Sequence, residues 1–165
     1  SPEKGYRLCG LGFLGLAAWL LRCDVARRTV RQSGLPRFAA LCLLSGYAWL
    51  AIAGLMALRM GPMHSGPQYD ALLHALFLGF VVSMIFGHAP IILPAVLRIE
   101  LPYQPAFYAH WLLLHASLLL RIAADLEGWD RLRAWGGMLN TAAIALFLLS
   151  SAGSALLAGR AVKRG

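Results

Sequence analysis

Residues 70–94 read DALLHALFLGFVVSMIFGHAPIILP, and residues 105–126 read PAFYAHWLLLHASLLLRIAADL. Each is an apolar run long enough for a helix, and the short Pro-containing stretch between them makes a hairpin. Together they hold four of the five histidines: His74 and His88 on the first arm, His110 and His115 on the second, with Arg121 further along. In water such segments would simply be core. In hydrocarbon an ionisable side chain is costly and needs a partner, so each of these residues is a candidate site.

Outward from this hairpin the same character continues. Of 165 residues, 59% are hydrophobic and 13% charged, against roughly 25% charged in a soluble domain. The chain reads as an integral membrane protein. Its net charge of +8 comes from basic residues gathered between apolar runs, where membrane proteins carry them. Basic flanks, and not a nucleic acid partner, account for that charge. Cys9, Cys23 and Cys42 show no CxxC spacing and read as small packing residues.

Five spans emerge, which predicts an all-α polytopic transmembrane bundle of about five helices. They cover Leu8 to Leu21, Phe38 to Leu58, Asp70 to His88, Pro105 to about Ala124, and Ala134 to Ala158. Pro90 and Pro94 should kink or end the third span. The first span is followed by RCDVARRTVRQSGLPR, with five Arg and one Asp. His64 falls in an external loop broken by Gly-Pro pairs and reads as solvated. Trp129 and Trp135 stand where interfacial aromatics belong. The chain reads as one transmembrane domain, 1–165, or as the carboxyl-terminal part of a longer protein.

With the amino terminus outside, nine of the fifteen basic residues fall inside, which favours amino terminus out and carboxyl terminus in the cytoplasm of a bacterial inner membrane. On the third span Ala75, Gly79, Ser83 and Gly87 form a small-residue stripe suited to close helix contact, with His74, Phe77, Val81, Met84 and His88 opposite. On the fourth, His110, Ser117 and Arg121 lie within about 40° of one another, and His115 points about 140° away from His110. At about 1.5 Å rise per residue, His88 and His110 lie less than one turn apart in depth. They are the best-matched pair for shared ligation.

Two neutral imidazoles facing each other across a bundle are axial ligands for a haem iron, and the ring favours Phe, Leu, Val and Met around it. Haem of b type is the expected cofactor, with copper the alternative. The metal-ligating candidates are His88, His110, His74 and His115; Arg121, as a propionate partner, and Met84 complete the cofactor-binding set. No catalytic residue stands out. The rival reading is a non-redox accessory subunit or small transporter whose histidines relay protons or hold helices together.

The runs GYAWLAIAGLMAL (46–58), HALFLGFVVSMIFGH (74–88) and HWLLLHASLLLRIAADL (110–126) resemble the carboxyl-terminal half of the NnrS proteins, polytopic haem- and copper-containing membrane proteins linked to nitric oxide response. The family's His-Ala-Leu, Gly and Met pattern falls on His74, Ala75, Leu76, Gly79 and Met84, and its Leu-Arg on Leu120 and Arg121. MIFGHAPIILP is also similar to haem-ligand helices of haem-copper oxidase subunit I. The oxidase His-His copper pair has no counterpart here, so the resemblance implies haem binding without oxygen or nitric oxide reduction. The expected function is electron transfer, or sensing or handling of nitric oxide. The expected partners are the lipid bilayer, a redox partner or other membrane subunits, and a second copy of the chain.

Overall fold

A computed structural model describes residues 2–62, 64–99 and 101–162, with side chains through Ala158. Six helices account for nearly all of it: α1 (Pro2–Cys23), the short α2 (Ala26–Thr29), α3 (Leu35–Met60), α4 (Pro67–Leu97), α5 (Phe107–Glu127) and α6 (Asp130–Val162). Apart from α2, each is long and apolar enough to cross a membrane, so the expected bundle of five spans stands. Large apolar side chains such as Leu8, Trp19, Phe77, Ile92, Leu112, Leu119 and Leu149 are exposed around the outside. That is the surface lipid would wet.

The spans stack mostly in chain order. α1 lies on α3, α4 packs on both α3 and α5, and α6 lies on α5. Hydrocarbon gives apolar helices no hydrophobic reason to prefer one another over lipid, so van der Waals fit must decide these contacts. Small residues supply it. A Cβ on Gly10 would come within 2.8 Å of the Gly54 carbonyl oxygen, and one on Gly54 within 2.9 Å of that of Gly10, so α1 and α3 meet backbone to backbone.

The predicted stripe on α4 makes the second such contact. Ala75, Gly79, Ser83 and Gly87 are all buried against α3. A Cβ on Gly79 would sit 2.6 Å from the Trp49 Cβ, one on Gly46 2.5 Å from the Met84 Cε, and one on Gly87 2.7 Å from Leu43 Cδ1. Residues four apart drift about 40° per step around an ideal α-helix, which would carry the stripe off the interface. Between Ala75 and Val82 the helix widens into a π-helix. Its underwound turns counter that drift and keep the row facing α3.

α4 also differs from expectation at its far end, because it continues through Pro90 and Pro94 to Leu97. Proline forfeits one backbone bond, which a membrane-spanning helix tolerates where neighbours or local adjustment re-satisfy the freed group. The helix stops instead at Arg98, whose backbone is left-handed (φ 53°). At the α5–α6 turn only Gly128 and Trp129 intervene. Gly128 takes φ 74°, and the Trp129 N–H donates to the Ala124 carbonyl at 3.0 Å, closing α5.

The one carboxylate of the basic connection is also fixed. Asp24 accepts the Ala26 N–H (2.6 Å) at the first residue of α2 and accepts the buried Tyr47 hydroxyl of α3 (2.7 Å). Cys42 is buried beside Gly87, as a packing residue should be, whereas Cys9 and Cys23 are exposed, so the packing reading holds for one cysteine of three.

Gly79→Ala should lower thermal stability in detergent by about 1–3 kcal/mol, since the added methyl overlaps the Trp49 indole and the helices must part. Gly15→Ala, whose Cβ would meet nothing within 4 Å, should leave the melting temperature unchanged or raise it.

Candidate functional site

The four membrane histidines fall into three different environments. His88 is exposed on the outer face of α4, and its Nδ1 lies 2.8 Å from the Met84 carbonyl oxygen. A carbonyl only accepts, so Nδ1 carries the proton and Nε2 keeps its lone pair. His74, partly buried, repeats the arrangement with the Asp70 carbonyl oxygen at 2.7 Å. Both imidazoles hold the tautomer that a metal-ligating histidine needs, with the second nitrogen tied to a backbone carbonyl.

His115 holds the opposite one. The Trp49 indole N–H, which can only donate, points at His115 Nδ1 from 3.0 Å. The two rings lie nearly parallel, 6.4 Å apart, and Trp111 meets the imidazole edge-on at 5.1 Å. In the neutral ring the proton then sits on Nε2, which is buried without a partner. A metal cannot take that nitrogen while it carries hydrogen. His115 belongs to the α3–α5 contact.

His110 is 1% exposed and enclosed by phenylalanines: Phe86 at 4.7 Å, Phe147 at 5.3 Å, and Phe38 and Phe107 each at 5.8 Å between ring centres. Its Nδ1 lies 3.5 Å from the Ser150 hydroxyl, and its Nε2 has no partner. These rings fill the gap where α4 and α5 diverge. They leave no open face of the imidazole for a porphyrin.

His88 and His110 are therefore not brought together, which corrects the shared-ligation expectation. Phe86, two residues before His88, meets His110, so the depth match was sound. Two residues is about 200° of rotation on a helix, and His88 points away from α5. Among the described residues no three His, Cys, Asp or Glu side chains gather at one point suited to a metal ion. Met84 lays its methyl group over Gly46. His64 is exposed, as expected.

Arg121 serves another purpose than holding a propionate. Its Nε pairs with Asp125 at 3.1 Å, one terminal nitrogen lies 3.4 Å from Asp70, and the other donates to the Arg133 carbonyl at 2.9 Å. Arg133 pairs with Asp125 at 2.8 Å and also with Asp70. Two guanidiniums and two carboxylates thus tie the start of α4, the end of α5 and the start of α6 into one neutral cluster. The glycines of α6 make room for it, since a Cβ on Gly136 would sit 2.8 Å from Arg121 Cα.

The shared face of His110, Ser117 and Arg121 is real, but it meets α6. Ser117 Oγ lies 2.6 Å from Asn140 Oδ1, and Ser154 Oγ donates to the Pro102 carbonyl at 2.9 Å, anchoring the loop before α5. The Arg121–Asp125 pair was open to a sequence reader, as opposite charges four residues apart. The participation of Asp70 and Arg133 needed the tertiary structure.

Residues 1–156 match the family described as a domain of unknown function, DUF8744. The chain belongs to the DUF8744 family. Comparison with curated proteins and with solved structures found no match.

Breaking the ion cluster should cost most at its driest member. Asp125 is 3% exposed, and Asp125→Asn leaves two guanidiniums short of a charge, an expected loss of about 3–5 kcal/mol. Asp70, with 37% of its side chain accessible, should cost clearly less as Asp70→Asn. Melting temperatures of the two variants in one detergent check the order.

Proposed function

We propose that this protein binds haem of b type at the lipid-facing side of α4 and serves electron transfer or the handling of nitric oxide, with His88 as the residue that would hold it. The observation that carries the reading is the His88 Nδ1–H donated to the Met84 carbonyl at 2.8 Å, which leaves Nε2 able to bind a metal at an exposed position. The surface around it is apolar. Val81, Met84, Ile85, Ala89, Ile92 and Leu93 line a shallow groove of about 350 Å³ with His88, the kind of surroundings a porphyrin face favours.

When bound, haem supplies one-electron chemistry. The chain's own contribution is narrower: Met84 fixes the imidazole tautomer, and the small-residue seam behind it holds α4 still. The groove is open, so another membrane subunit, a redox partner or a second copy of the chain would complete the site. Copper, the alternative metal, would use the same nitrogen. His74, with the same tautomer, is the candidate for a second centre. The resemblance to NnrS proteins supports haem. The Arg-rich α1–α3 connection supports a cytoplasmic carboxyl terminus in a bacterial inner membrane.

One observation favours a second reading, a non-redox accessory subunit or small transporter. His110, His115 and Arg121 are each absorbed in contacts between helices.

An absorption spectrum of the purified protein separates the two. The haem reading expects a Soret band that shifts on reduction with dithionite, is lost in His88→Ala and persists in His115→Ala. A colourless protein obtained in normal yield from haem-replete cells overturns it.

A further inference from the structure

At the basic end of the bundle the connection from α1 to α3 folds into a bowl of about 570 Å³ lined by Arg22, Arg27, Arg28 and Arg31 around Asp24. The single carboxylate there is already engaged: one oxygen holds the Ala26 N–H and the other the Tyr47 hydroxyl. Among the described residues none of these four arginines has an ion-pair partner. Four guanidiniums facing one cavity repel one another and favour an anion. Their planar donors suit phosphate oxygens in particular.

A second cavity of about 430 Å³ begins where the first ends, with Asp24 and Val25 in the walls of both. Its character is opposite. Ala26, Leu35, Ala39 and Leu43 form one side and Gly87, His88 and Ile91 of α4 the other, and it descends along helices that cross the membrane. A charged bowl continuous with an apolar groove matches a ligand with an anionic phosphate head and a hydrocarbon tail.

We propose that this continuous cavity binds one anionic glycerophospholipid, its phosphate on Arg27, Arg28 and Arg31 and one acyl chain in the groove between α3 and α4. Basic pockets between membrane helices hold lipid head groups in this way, and each juxtamembrane basic residue adds to the attraction. The occupant is a lipid and not free phosphate, because only a lipid uses the groove. His88 also lines the groove, so the acyl chain lies beside the position proposed for a metal, whereas the arginine bowl does not include that residue.

Native mass spectrometry of the full chain in a neutral detergent, titrated with phosphatidylglycerol or phosphatidylcholine of equal chain length, tests the assignment. One phosphatidylglycerol should bind at least tenfold tighter than phosphatidylcholine. R27Q/R28Q/R31Q should abolish that preference, whereas R7Q/R59Q/R131Q, with the same charge change at exposed positions toward the opposite end, should keep it. Ala39→Trp, which fills the groove, should weaken lipid binding tenfold and leave thermal stability near that of the parent. Equal loss in both arginine triples means a diffuse field and overturns the site. Full lipid affinity in Ala39→Trp, or displacement of the lipid by millimolar inorganic phosphate, overturns the acyl-chain assignment.

Discussion

The fit of Gly79 against Trp49 is the contact on which the rest of the bundle depends. Neither helix gains by leaving lipid for the other unless their surfaces interlock, and a glycine facing the largest side chain lets α4 approach α3 closely. Once seated, Trp49 has its ring edge free to reach across to His115 of α5. One residue therefore fixes two interfaces, by shape on one side and by a donated hydrogen bond on the other. The widened turns from Ala75 to Val82 serve the same contact, since they hold the small residues in line over the length of the seam.

From that centre the two ends of the molecule are secured by different physics. Near the start of α4, where water and head groups are within reach, charge does the work, and Asp70, Arg121, Asp125 and Arg133 neutralise one another across three helices. Deeper along α5, α4 diverges and the space is filled by bulk. Phe38, Phe86, Phe107 and Phe147 crowd around His110, and ring contacts, edge-on from all but the tilted Phe107, stand in for the partner its Nε2 lacks. The orphaned Nε2 of His110 is tolerable only because a neutral ring costs far less to bury than a charged one.

Much of this was legible in the residues, and the misses have identifiable causes. Ala75, Gly79, Ser83 and Gly87 announced a packing face because their spacing alone places them together. The five spans followed from hydropathy and length. Depth along the hairpin was also readable, to within the two residues that separate Phe86 from His88. What spacing could not supply was the direction each helix turns toward its neighbours. Of the set that looked like a cofactor face, Phe77, Val81 and His88 are exposed, while His74 and Met84 are partly buried and Met84 reaches back over Gly46. Likewise the polar row of His110, Ser117 and Arg121 was correctly grouped, but its partner is α6, where Asn140 and Ser150 had no periodic signal to pair them with it.

The histidines show why counting imidazoles in a membrane overstates the number of ligands. Whether a ring can bind a metal is decided by its other nitrogen: a carbonyl there leaves a lone pair free, and an indole N–H there consumes it. Sequence places His88 and His115 in the same class, as ionisable groups among apolar residues. Trp49 removes one from that class and Met84 keeps the other in it. Exposure then separates His88 from His110, because His110 is walled off by rings while His88 opens onto an apolar groove. An imidazole with a free lone pair facing hydrocarbon is costly unless something binds it. A bound centre at His88 would relieve that cost, which the packing around His110 and His115 leaves unaddressed.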